Sequence, residues 1–299
     1  MAEKTYKKYL DPKILQRVSA LELKARQVVE GIITGLHKSP YHGISIEFAS
    51  HREYAPGDEI KHIDWRVFAR SDRYFIKQYE EETNMRCYIL LDVSESMLYK
   101  SKNLTKLEYG SFLAASIAFL LLQQRDSVGL VTFNDKVVKY IPPRNSPKHY
   151  RLMLQELELS SPGSKTNIDA VFHDLAERIK KRGLVIVISD MFYDVEKILL
   201  SLQHFRHKKH EVIVFHILDR HEMTFPFEDL MLFKGLEEQP EVLAESWSVR
   251  KGYLENFKKY LGNIKSGCMA KKIDYVQICT DESLDLRLSK YLTTRVGRR

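Results

Sequence analysis

Two kinds of apolar pattern alternate along this 299-residue chain from about residue 83 onward. The first kind is a short unbroken run: Cys87–Leu91, Val128–Phe133, Leu184–Ser189, Glu211–Ile217 and Ile273–Cys279. A strand apolar at nearly every position must be covered on both faces, as in a parallel sheet sandwiched between helices. The second kind keeps helical spacing over Lys106–Gln124, Pro147–Leu157, Asn167–Lys181, Val195–Phe205, Ser246–Ala270 and Ser283–Leu292, and predicts helices there. Lys136–Ile141 follows the turn Asn134-Asp135 and predicts an antiparallel partner for the strand before it. Leu230–Leu243 predicts a hairpin insertion, within 222–245, around Glu237-Glu238-Gln239-Pro240. The alternation as a whole predicts an α/β domain over 83–299, with a mostly parallel sheet and helices on both faces.

Residues 1–82 have a different character and predict a small α+β N-terminal region. Asp11 is placed to cap a helix with Pro12 in its first turn, and Ile14, Leu15, Val18 and Leu21 keep helical spacing. The pattern extends through Val28 and Val29, and the helical character is expected to end near Gly31. Gly35, Ser39, Pro40 and Gly43 then punctuate short apolar pieces. Tyr74–Tyr79 predicts a short strand.

Composition narrows the class. Hydrophobic residues make up 44% and charged residues 29% of the chain, which excludes a wholly disordered protein. The net charge of +7 is scattered, apart from a short run at Arg206–His210 and a basic tail, so no nucleic-acid face is expected. Three cysteines without a CxxC pair argue against a zinc ribbon or a thioredoxin-type site and fit a reducing cytoplasm. The first ten residues lack the apolar centre of a signal peptide. The longest apolar run, Phe112–Leu122, is too short to span a bilayer, which takes about 20 residues. A cytoplasmic protein without a membrane span is therefore expected.

Ligands of open α/β sheets bind beyond the carboxyl ends of the strands. After Cys87–Leu91 comes Asp92-Val-Ser94-Glu95-Ser96. The loop Ser161–Asn167 supplies Thr166, and Asp190 follows Leu184–Ser189. Two carboxylates and three hydroxyls form an all-oxygen set, suited to a hard divalent cation such as Mg²⁺, or Mn²⁺ or Ca²⁺. Hydroxyl ligands leave such an ion electrophilic, with a position for water or for a carboxylate from a partner.

This pattern resembles the metal-ion-dependent adhesion site of von Willebrand factor A domains, with all five positions present. The resemblance implies a six-stranded sheet with one antiparallel edge strand over residues 83–299. Tyr54-x-Pro56-Gly57-Asp58, Ile63-Asp64-Trp65-Arg66, Ala69-Arg70 and Glu82 resemble, more narrowly, the bacterial domain of unknown function 58 family, in which an N-terminal region precedes an A-type domain. That resemblance implies a non-enzymatic adaptor or chaperone-like partner of a MoxR-type AAA+ ATPase.

Blander alternatives remain open at this stage. Asp92, Ser94 and Ser96 could simply cap the following helix. Pro56-Gly57-Asp58 is a turn signal, and Trp65 could be a structural anchor rather than, with Arg66, a partner-binding surface. A metal-independent scaffold using the surface around Trp65 is thus the second functional expectation. His204, His207 and His210 fit the basic end of a helix better than a metal site. Gly163-Ser-Lys165-Thr166 lacks the spacing of a phosphate-binding loop. Ser94 stands where an aspartyl-phosphate enzyme would carry a second Asp, and no Gly-x-Ser-x-Gly elbow occurs, so no catalysis is expected.

Overall fold

Thr105 opens the most apolar long helix of the sheet unit with a reciprocal cap: its hydroxyl accepts the Glu108 N–H, and the Glu108 carboxylate accepts the Thr105 N–H. This and the following features belong to a computed structural model that describes residues 12–37, 51–53, 65, 68, 70, 73–77, 85–102, 104–160, 163, 168–234 and 241–296. In chain order the elements are α1 (Pro12–His37), β1 (His51–Glu53), β2 (Phe75–Lys77), β3 (Arg86–Asp92), α2 (Lys106–Gln123), β4 (Ser127–Phe133) and β5 (Val137–Arg144). They continue with α3 (Pro147–Leu159), α4 (Ile168–Arg178), β6 (Leu184–Ser189), α5 (Val195–His207), β7 (Glu211–Leu218) and α6 (Arg220–Thr224). The chain closes with β8 (Leu230–Phe233), β9 (Val242–Glu245), α7 (Ser246–Ala270), β10 (Asp274–Cys279) and α8 (Leu284–Val296).

Six strands form one sheet in the order β10-β7-β6-β3-β4-β5. Every neighbouring pair is parallel except β4 and β5. The predicted architecture, a mostly parallel six-stranded sheet with helices on both faces, is the one present. Alternate residues of each strand feed two cores. Ile89, Leu91, Ile186 and Ile188 face one, with residues of α1, α2, α3 and α8. Tyr88, Leu90, Val185 and Val187 face the other, with Phe172 of α4, Phe205 of α5 and Ile264 of α7. This two-sided burial is why the strands read as unbroken apolar runs. The predicted hairpin is also present, as the antiparallel pair β8 and β9.

The N-terminal helix differs from expectation in two ways. It runs through Gly31 and Gly35 to His37, and it belongs to the sheet unit, which comprises residues 1–38 and 85–299; residues 39–84 form a second unit. The division expected at 82/83 therefore leaves out one long helix that packs with the sheet. The cause is a buried stripe of Val18, Leu21, Ala25, Val29 and Ile32. Glycine costs a helix about 1 kcal/mol relative to alanine, less than burying even one such aliphatic side chain gains, roughly 1.5–3 kcal/mol. The Asp11 cap lies outside the described residues.

Taken by itself, the second unit pairs β1 with β2 antiparallel. Phe68 stacks on Tyr74 at 4.5 Å between ring centroids, and Trp65 meets Phe68 edge-on at 6.1 Å. Trp65 is 56% exposed. The Pro56-Gly57-Asp58 turn and Arg66 lie outside the described residues. Among the described residues no helix is long and apolar enough to cross a membrane.

Candidate metal centre

Strand β3 ends at Asp92, and the chain turns at once. The Asp92 Oδ1 accepts the Ser94 N–H at 2.9 Å, a side-chain-closed turn typical of Asp. The Val93 N–H donates to the Phe133 carbonyl at 2.8 Å and ties the turn to β4. The other oxygen, Oδ2, accepts the Ser189 hydroxyl at 2.7 Å and the Tyr193 hydroxyl at 3.1 Å. Asp92 and Ser94 are fully buried, and Ser96 is half-buried in the short 3-10 turn Glu95–Leu98. Ser94 stands at the N-cap of that turn but its side chain makes no capping bond to the turn's backbone. Its Oγ instead faces the Ser96 Oγ at 2.9 Å. Since Thr105 caps α2, capping is not the role of these serines.

Strand β6 delivers the second carboxylate. Asp190 follows Ser189, is fully buried, and precedes Met191, whose φ of 54° is left-handed. A non-glycine residue held there stores of order 1–3 kcal/mol, sustained only by its surroundings. Here the Met191 carbonyl accepts the Tyr193 N–H at 2.7 Å and the Tyr260 hydroxyl of α7. The Asp190 Oδ2 accepts the Lys106 ammonium at 2.7 Å. The same ammonium donates to Glu222 Oε1 at 2.7 Å, and the Glu222 Oε2 accepts the Asp219 N–H that opens α6.

The third predicted contributor, Thr166, lies outside the described residues; Gly163, three residues before it, lies beside the turn. The Gly163 N–H donates to the Val93 carbonyl at 3.1 Å, and Gly163 forms a parallel bridge with Ser94. A Cβ at Gly163 would stand 1.9 Å from the Asn134 side-chain nitrogen, so a larger residue here would require the Asn134 side chain to move.

Four of the five predicted ligands are therefore described, and they lie where β3 and β6 end. Ser189, Tyr193, Lys106 and Glu222 went unnoticed in the sequence. The signal available for Lys106 was its place in the first turn of a helix, where a cation is electrostatically disfavoured. Of the three histidines, His210 is fully buried, accepts the Gly183 N–H at 3.1 Å, and lies with its other ring nitrogen 3.2 Å from the Ile179 carbonyl. It holds two backbone segments together. His207 meets Gln203 and His204 meets the His173 ring.

The electrostatics are those of crowded negative charge. Burial, reinforced by the charge of Asp190, pushes the Asp92 carboxyl up to about 6, against the opposing pull of its bonds from Ser189 and Ser94. Burial also raises Glu222, although the Lys106 charge pulls it down. Asp92, Asp190 and Glu222 thus set three carboxyl groups against one ammonium. Among the described residues no three His, Cys, Asp or Glu side chains converge on one point. A cation here would rest on hydroxyls and at most two carboxylates. The serine spacing suits that. Bonds of 2.0–2.1 Å at right angles place adjacent magnesium ligands about 2.9 Å apart, and the two hydroxyl oxygens lie 2.9 Å apart. The same spacing lets one hydroxyl donate to the other.

Comparison with known proteins places the chain among relatives. It is 24% identical over 221 residues to the uncharacterized proteins Mb1516 of Mycobacterium bovis and Rv1480 of Mycobacterium tuberculosis, covering 72% of this chain and 68% of each of them. The crystal structure of the conserved hypothetical protein BatB from Bacteroides thetaiotaomicron aligns with a TM-score of 0.49 and 17% identity, over 71% of this chain and 99% of that one. Residues 50–260 match the family described as protein of unknown function DUF58, and the chain belongs to that family.

Proposed function

We propose that this protein is a non-enzymatic, divalent-cation-dependent protein-binding module. The observation that carries the proposal is the meeting of Asp92, Ser94 and Ser96 with Asp190 at the carboxyl ends of two neighbouring strands, with the two serine oxygens one octahedral edge apart. Asp92, Ser94 and Ser96 would hold Mg²⁺ (or Mn²⁺ or Ca²⁺), with Asp190 and Thr166 completing the shell directly or through water. The ion would supply a positive centre able to take an Asp or Glu carboxylate from a protein partner. The residues around it act as a frame. Ser189 and Tyr193 aim the Asp92 carboxylate, and Gly163, three residues before Thr166, lies beside Ser94. Asp92 also serves as acceptor for three hydrogen bonds, which suits a fixed ligand better than an attacking nucleophile. The family resemblance makes a MoxR-type AAA+ ATPase the partner to test first, this module acting as its adaptor or chaperone-like co-worker in the cytoplasm.

The deciding experiment is pull-down of that ATPase by wild type and Asp92→Ala, with Mg²⁺ and with EDTA. Binding that needs both Asp92 and the cation supports the proposal. Binding indifferent to both refutes it.

A second reading, a metal-independent scaffold, is favoured by one specific observation: the Lys106 ammonium already pairs with Asp190 at 2.7 Å. Contact would then run through the surface around Trp65, which is 56% exposed. Trp65→Ala should abolish partner binding under this reading and leave it intact under the first.

A further inference from the structure

Lys106 occupies a position that two rules of protein electrostatics disfavour. It is the first residue of α2, where the exposed N–H groups of the helix make the potential positive. Its side chain is also 1% exposed, and burying an ammonium is expensive unless it is fully paired. The nearest acidic residue in its own helix, Glu108, is committed to the Thr105 cap. What holds the ammonium in place is Asp190 on one side and Glu222 on the other, each at 2.7 Å, under the rings of Phe192 at 5.0 Å and Tyr99 at 5.9 Å. The lysine therefore serves no purpose of the helix. Its location is set by Asp190 and Glu222 together.

We propose that Lys106 is a tethered positive charge that competes with a divalent cation for Asp190, keeping the site's intrinsic metal affinity low. This inference rests on the metal-site reading above. One Asp190 oxygen, Oδ2, is taken by the ammonium, and among the described residues the other receives a long contact of 3.4 Å from the Phe192 N–H. A cation at the Asp92–Ser94–Ser96 turn thus meets a carboxylate already half neutralised, and feels the repulsion of a nearby charge through a poorly screened interior. Such a site fills weakly by itself. It fills well when a partner adds an anionic oxygen, so metal occupancy and partner capture become one event. Without the lysine, Asp190 and Glu222 would face each other and the site would behave as an ordinary acidic cation trap.

The test is Mn²⁺ binding followed by electron paramagnetic resonance of the free ion, with the native fold checked by circular dichroism. The full chain is compared as wild type, Lys106→Met, Asp92→Ala and Lys106→Met/Asp92→Ala. Lys106→Met is expected to bind Mn²⁺ at least about ten-fold more tightly than wild type, with Asp92→Ala removing the binding from both. Binding by Lys106→Met that wild type lacks supports the proposal equally. An affinity within two-fold of wild type, still dependent on Asp92, overturns the lysine's role and leaves the metal site standing. Binding that survives Asp92→Ala, or none in any folded variant, overturns the site and the inference together. If Lys106→Met does not fold, the same comparison is made between Glu222→Gln and Lys106→Met/Glu222→Gln. These two differ only in the ammonium and leave no second carboxylate facing Asp190.

Discussion

Replacing Asp92 by asparagine should stabilise the protein in EDTA at neutral pH while removing its response to metal. Burial and the nearby Asp190 lift the Asp92 carboxyl from 3.8 to about 6. A rise of roughly two pH units, at ~1.4 kcal/mol each, means that keeping this group ionised costs the native state about 3 kcal/mol at pH 7. A carboxyl raised in the folded state contributes its full stability below its unfolded value, near pH 4, and loses it as the pH climbs through about 6. Asparagine never ionises and escapes the cost. It keeps the acceptor for the Ser94 N–H but cannot offer a second acceptor to the Ser189 and Tyr193 hydroxyls. At about 1 kcal/mol per lost bond the net gain is about 1 kcal/mol, a rise in Tm of roughly 2–4 °C for a unit of this size. Differential scanning fluorimetry in EDTA at pH 4 and pH 7.5 measures it. The variant should gain on wild type between those values and not above them. In about 10 mM Mg²⁺ the order should reverse, because wild type gains roughly 1.4 kcal/mol for a dissociation constant near 1 mM. A variant destabilised equally at both pH values in EDTA would refute the account of Asp92 as a strained charge awaiting a cation.

Three further outcomes follow from the same geometry. Thr105→Ala removes one half of the reciprocal cap of α2 and should cost about 1 kcal/mol in urea unfolding, without altering Mn²⁺ affinity. Gly163→Ala puts a methyl against the Asn134 side chain, which must turn aside, and should cost at most about 1–3 kcal/mol in urea unfolding. Cys87, Cys268 and Cys279 are all buried, and burial raises each thiol, Cys268 and Cys279 to about 12. A disulfide reagent should therefore label none of them in the native protein at pH 8 and all three in denaturant.

The legibility of the fold follows from local rules. Leu184–Ser189 and Ser246–Ala270 match the predicted spans residue for residue, because a strand covered on both faces and a long amphipathic helix each leave a continuous pattern. Asp92, Ser94, Ser96 and Asp190 were legible because a parallel sheet presents the residues just beyond its strands on one edge. The extent of α1 was not legible. Gly31 and Gly35 signal a stop, and the burial of the stripe from Val18 to Ile32 in the sheet unit overrides it.

Sequence alone thus determined the sheet, its helical layers and the carboxylate and hydroxyl side chains that follow its strands, all of which depend on residues close together in the chain. Tertiary structure alone decided what those side chains face. Lys106 meets Asp190 across 84 residues and Glu222 across 116, and Tyr193 reaches Asp92 across 101. Local pattern carries no trace of such contacts, since a lysine opening a helix and a tyrosine in a loop look the same whether solvated or buried. The strand order sets which loop ends become neighbours, and with it whether the two buried carboxylates meet only each other or an ammonium as well.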